Sequence, residues 1–106
     1  MAYVYQVSFD IHPEQMDELR IGASLERVLA YLRTLLPSEV GYITSRAMSS
    51  LDSPDWTHVI VQSEWDSWEN LARHRQSSLA ENKVLSEFEP HVRLEDLVAH
   101  TYEEVA

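Results

Sequence analysis

From Trp56 to Ser77 the chain reads THVIVQSEWDSWENLARHRQS after the opening Trp, so an alternating run passes without a spacer into a helical one. Val59, Val61 and Trp65 lie two or four apart and share one strand face. Asp66, three residues before Glu69, has the form of a capping box, so the chain is expected to turn from strand to helix at Asp66 or Ser67. A strand feeding directly into a capped amphipathic helix limits the fold to those that lay a helix back across a sheet.

The preceding segments fit that frame. Tyr3, Tyr5, Val7, Phe9 and Ile11 alternate with Val4, Gln6, Ser8 and Asp10, which predicts a first strand with one strongly apolar face, ending at His12-Pro13. From Glu14 to Leu36 the apolar positions Met16, Leu19, Ala23, Leu25, Val28, Leu29, Leu32, Leu35 and Leu36 recur at three and four, a long helix stopped before Pro37. Val40, Tyr42, Thr44, Arg46 and Met48 form a second alternating run, and Ser49 to Asp55 supplies hairpin turn residues. Trp56 to Trp65 is then strand three, Ser67 to Ser77 the second helix, Leu79 to Glu89 a shorter helix broken at Pro90, and Leu94 to Glu104 a last strand.

The order β-α-β-β-α-β predicts a ferredoxin-like α+β fold, a four-stranded antiparallel sheet with helices on one face. The 106 residues suit one domain, and folding at this size buries only roughly two-thirds of the unfolded surface. No further helix is left for the second sheet face. A second copy packed through that face is therefore expected, forming a homodimer.

Composition removes several function classes. Eight Lys and Arg against eighteen Asp and Glu give a net charge of -10, which repels nucleic-acid phosphates and anionic membrane surfaces across a Debye length of roughly 8 Å. With no cysteine, thiolate catalysis, disulfides and cysteine zinc sites are excluded. His12, His58, His91 and His100 fall on separate elements without zinc-site spacing, so no metal is expected. No serine sits in a nucleophile motif. No apolar run approaches a membrane span and the first residues lack signal-peptide character, so a cytoplasmic location is the default expectation.

The tract Gly41-Tyr42-Ile43-Thr44-Ser45-Arg46, the hairpin, and Glu64-Trp65-Asp66-Ser67 with Leu71 and His74 beyond resemble the antibiotic-biosynthesis-monooxygenase-like family of dimeric α+β barrels. The resemblance implies a ferredoxin-like protomer, a dimer whose sheets face each other, and a small-molecule pocket between sheet and helices. Some members oxygenate polyketide-type aromatics without metal or flavin, so no cofactor is implied; others degrade haem, and many have no assigned reaction. The polyketide oxygenases carry an Asn four residues before the Trp, and here that position is Val61, leaving Trp65 alone of the pair. The three polar haem anchors fall near Val7, His74, and Lys83 or Val84, which disfavours haem breakdown.

Five side chains stand out as candidates. Trp65 either stacks on a planar substrate or wedges the second helix against the sheet as core. His74 is a candidate proton acceptor, and equally a helix histidine with no proton to move. With a hairpin turning near Asp52, Arg46 comes opposite His58 and Tyr42 opposite Gln62, so Arg46, His58 and Gln62 are candidate substrate-binding groups or members of a polar network at the dimer interface. Arg46 needs a carboxylate, with Glu64 the first choice. The leading expectation is a cofactor-independent monooxygenase-like protein that binds a small aromatic or apolar molecule. The alternative is a non-catalytic ligand-binding or stress-responsive barrel, and a purely structural dimerisation module is a third, weaker reading.

Overall fold

The computed structural model describes residues 2–12, 14–52, 55–89 and 91–105. Strand β1 (Tyr3–Ile11) is followed by helix α1 (Glu18–Leu35), a 3-10 turn at Leu36–Ser38, β2 (Tyr42–Ser49), β3 (Thr57–Trp65), α2 (Trp68–Ser77), α3 (Leu79–Phe88), a second 3-10 turn at Leu94–Asp96 and β4 (Val98–Glu103). The strands lie in the order β2-β3-β1-β4 with every neighbouring pair antiparallel. This is the expected ferredoxin-like α+β fold. The predicted end of strand one at Pro13, the turn residues Ser53 and Pro54, and the helix break at Pro90 lie outside the described residues.

Alternation along β1 and β3 divides the sheet cleanly. Tyr5, Val7, Phe9 and Ile11 of β1 and Val59, Val61 and Trp65 of β3 are all buried beneath the helices, while Asp10 and His58 are exposed on the opposite face. Against the inner face α1 places Ile21, Leu25, Val28 and Leu32, with Met16 before the helix and Leu36 after it. The predicted stripe was too wide: Leu19 is 87% exposed, and Ala23 and Leu35 also face solvent. The helix start differs as well. Asp17 caps α1 by accepting from the Arg20 amide (2.9 Å), and the helix begins at Glu18 rather than Glu14. Its inward line is 21-25-28-32, so Leu19, two residues before Ile21, falls on the far side.

Three further expectations are corrected. The cap of α2 is Ser67, whose hydroxyl accepts from the Asn70 amide; Asp66 instead accepts from the Asn70 side chain (2.8 Å), and no capping box with Glu69 forms. The β2-β3 register pairs Arg46 with Gln62, four residues from the expected His58, and Tyr42 with Trp65, three residues from the expected Gln62. Ser50 sets it, because its amide donates to the His58 carbonyl and its hydroxyl accepts from the His58 amide, both at 2.9 Å. A bulge between Tyr42 and Thr44 lets Tyr42 turn inward beside Trp65. The last strand is shorter than expected, beginning at Val98 after the turn at Leu94–Asp96.

Candidate functional site

The sheet separates the five candidate residues. Trp65 and His74 meet under the inner face, whereas Arg46, His58 and Gln62 lie on the uncovered outer face.

Trp65 ends β3 on its inward side, and α2, starting three residues later, runs back beneath it. Leu71 and His74, one turn apart on α2, form the helix face that meets the sheet. The two rings stack, with centroids 4.7 Å apart and planes inclined by 26°. Tyr5 of β1 meets the His74 ring edge-on at 5.8 Å, and Tyr42 meets Trp65 in the same manner. The indole N–H of Trp65 donates to the Ser63 hydroxyl at 2.9 Å, so it is satisfied within the chain. Tyr5, Trp65, Leu71 and His74 are each no more than 1% exposed, and their own side chains fill the layer between sheet and helix.

His74 is the anomaly in this layer. Among the described residues neither of its ring nitrogens makes a well-formed hydrogen bond. The Glu39 carboxylate stands 3.4 Å from Nδ1, an electrostatic contact rather than a formed hydrogen bond. Burial pushes the His74 pKa below its ordinary 6.5, and the nearby Glu39 charge offsets this only in part. The imidazole is therefore neutral near pH 7, with a lone pair held in a dry aromatic layer. Buried polar atoms are almost always partnered, and leaving one unpaired costs about 1–3 kcal/mol.

Two acids missed by the sequence reading complete the cluster. Glu39 follows the turn at Leu36–Ser38 and is held near α2 by Gly41, whose φ of 90° suits glycine and whose carbonyl accepts from the Asp66 amide at 2.9 Å. Glu81 of α3 accepts a hydrogen bond from the Tyr5 hydroxyl through Oε1, while its buried Oε2 has no partner. Burial raises its pKa above 4.5. A sequence signal for Glu81 existed, since it stands three and seven residues before the buried Val84 and Phe88 on the same helical face. Nothing in the sequence marked Glu39, which sits in a turn.

On the outer face, rows of side chains cross all four strands. Arg46, Gln62, Gln6 and His100 form one row; Met48, Ile60, Ser8 and Val98 form another; Thr44, Glu64, Val4 and Tyr102 form a third. Arg46 pairs with Glu64 at 3.2 Å, the carboxylate expected for it, Gln62 donates to Gln6 at 2.9 Å, and His58 lies 2.6 Å from Asp10. Met48, Val98 and Tyr102 remain 41%, 49% and 47% exposed among these polar groups.

At the end of the sheet away from Trp65, a cleft of about 680 Å³ brings together Asp10, His12, Trp56 and His91. Among the described residues no group of His, Asp and Glu is arranged to hold a metal ion, and no helix is long and apolar enough to cross a membrane.

No family model matches the sequence, and no curated protein is significantly similar to it. Solved structures do match in fold. The Mycobacterium tuberculosis protein Rv0793 superposes with a TM-score of 0.62 at 16% identity, covering 100% of this chain and 97% of its own. A Deinococcus radiodurans protein, provisionally named an antibiotic biosynthesis monooxygenase, gives 0.61 at 18% identity over 98% of this chain and 93% of its own. A protein of unknown function from Thermobifida fusca, described as dimeric and ferredoxin-like, gives 0.60 at 13% identity over 95% and 90%. At such identities the likeness is one of fold, and the chain shares the ferredoxin-like architecture of these proteins along nearly its whole length.

Proposed function

We propose that this chain is a cofactor-independent, monooxygenase-like protein that acts as a homodimer and binds a small aromatic or largely apolar molecule at the Trp65–His74 layer of each protomer. The observation that carries this reading is His74, a buried neutral imidazole stacked on an indole, with no hydrogen-bond partner for Nε2 among the described residues and only the Glu39 carboxylate, at 3.4 Å, beside Nδ1. A base in that state suits removal of a weakly acidic proton from an aromatic ring system lying against Trp65. The resulting anion is electron-rich enough to react with dioxygen directly. Conversion of a ring CH₂ to a carbonyl by O₂ releases one water, and all four electrons come from the substrate, so no bound redox group is needed. The protein's part is to take the proton, hold the ring and exclude bulk water.

The outer face supports the dimer. Its exposed apolar row beside a polar row is a surface that a symmetry-related copy covers with like residues. Structural neighbours from Thermobifida fusca and Jannaschia are described as dimeric and ferredoxin-like. In such a dimer Arg46, Gln62 and His58 belong to the interface rather than to the substrate layer.

A second reading, a non-catalytic ligand-binding barrel, is favoured by the filled layer around His74. Oxygen uptake with polycyclic phenols and quinols separates the two. Uptake that disappears in His74→Leu is the expected result; saturable binding without uptake selects the second reading; neither binding nor uptake removes both. Sedimentation at micromolar concentration is expected to give twice the 12.3 kDa chain mass, and a folded single chain would remove the dimer.

A further inference from the structure

The site just described is closed, and its unpartnered polar atoms indicate where it opens. Those among the described residues belong to only two side chains, His74 on α2 and Glu81 on α3, and Tyr5 touches both. The helices meet at Ser78, which has a φ of 54°, a left-handed conformation unfavourable for a residue other than glycine. Ser78 is also the N-cap residue of α3, yet its side chain makes no capping hydrogen bond. The first turn of α3 thus starts from a strained residue with its leading amides uncapped by that side chain.

Lifting all of α3 would expose Val84 and Phe88, both fully buried, and would break the packing of Phe88 on Phe9. Unwinding only Leu79 to Asn82 releases the small buried Ala80, the half-buried Leu79 at the margin of the α1 core, and one tertiary hydrogen bond, that between Tyr5 and Glu81. The smaller motion is strongly favoured over the larger one.

We propose that the first turn of α3 is the door to the His74 layer, that the Tyr5–Glu81 hydrogen bond is its latch, and that this pair selects ligands carrying an aromatic hydroxyl. With the latch open, the carboxyl of Glu81 accepts the ligand hydroxyl while the ring lies against Trp65 and His74. The selection rests on the function proposed above; the door does not.

Labelling of histidines by diethyl pyrocarbonate, read residue by residue by mass spectrometry, tests both parts, with the accessible His12 and His91 as internal references for reagent reactivity. Glu81→Ala should speed His74 labelling about tenfold through loss of the latch, and Ala80→Gly about fivefold through fraying of the turn. Val28→Ala, which weakens the α1 core far from the turn, should leave the His74 rate unchanged. Equal acceleration by Val28→Ala, or none by the two turn variants, overturns the door, because exposure would then require global unfolding. Addition of 1-naphthol should slow His74 labelling while naphthalene does not; Glu81→Ala should erase that difference, whereas Tyr5→Phe, which leaves the Glu81 carboxyl free, should keep it. Protection by both compounds alike, or by neither, overturns the selecting role. The variant rates judge the door independently, and oxygen uptake judges the underlying function.

Discussion

The inner face of the sheet carries two packed regions built by different rules. Beneath α1, Phe9, Ile11, Val59 and Val61 meet Ile21, Leu25, Val28 and Leu32, with Val84 and Phe88 of α3 closing one side; every member is apolar. Beneath α2, Tyr5, Val7, Trp65, Leu71 and Ala80 surround an imidazole and approach two carboxyl groups. Both regions are densely packed. Only the second contains buried polar atoms that the described chain leaves unpartnered. The first is what a small domain needs in order to fold; the second carries a stability cost, which is what the function proposed for it would explain.

Substitutions should separate the two regions, beginning with the largest effect. Phe88→Ala removes a fully buried ring stacked edge-on against Phe9 and should lower unfolding free energy by about 3–5 kcal/mol in urea titrations. Gly41→Ala acts on the seam of the second region. A Cβ there would lie 2.4 Å from Asp66 Oδ1 and from Asn70 Nδ2, on a backbone at φ 90°, so a loss of about 2 kcal/mol or more is expected, with Glu39 displaced from His74. His74→Leu is the contrasting case. It replaces unpartnered nitrogens by apolar atoms of similar size, and stability should change by no more than about 1 kcal/mol, with a gain as readily as a loss. A loss as large as that of Phe88→Ala would make His74 an ordinary core residue and erase the distinction between the regions.

The pH dependence of stability sharpens the same comparison at smaller scale. His74 has a folded pKa below 6.5, so the unfolded chain takes up its proton first as pH falls. Its contribution is complete above pH 6.5 and is lost as pH drops from there toward the folded value. Glu81 has a folded pKa above 4.5, so its contribution is complete below pH 4.5 and is lost as pH rises through the folded value. The two slopes oppose one another. Relative to the unsubstituted chain, His74→Leu should remove the decline below pH 6.5, and Glu81→Gln should steepen it. Unchanged pH profiles in both variants would place these groups in ordinary solvent.

Much of the architecture was legible in the sequence because alternation and helical spacing report one-sided burial. The inward set of β1 and the strand-to-helix junction after Trp65 follow from such patterns. What escaped was whatever depends on a single local interaction. The Ser50 clamp on His58 moved the β2-β3 register by four residues, yet an even shift keeps each side chain on its face, so the Arg46–Glu64 pairing survived. The Asp17 cap moved the start of α1 to Glu18, and Leu19 falls off the inward line set by Ile21, Leu25, Val28 and Leu32. The candidate site was half legible. The meeting of Trp65 and His74 was legible from spacing, whereas Arg46, His58 and Gln62, read either as substrate-binding groups or as a dimer-interface network, lie across the sheet from them, because period-2 reading gives the face of each strand without saying which face the helices cover. Glu39 and Glu81 reach the cluster through tertiary contacts from a turn and a third helix.

The titration of the His74 imidazole in the intact chain, followed by carbon-detected or proton–carbon NMR across pH 4 to 8, tests most directly whether this layer holds a neutral, unpartnered base. A midpoint clearly below 6.5 that moves further down when 1-naphthol buries the ring more deeply is the expected result. A midpoint at or above 6.5, insensitive to any aromatic hydroxyl compound, would mean that His74 is solvated or fully paired, and that the layer beneath Trp65 is packing alone.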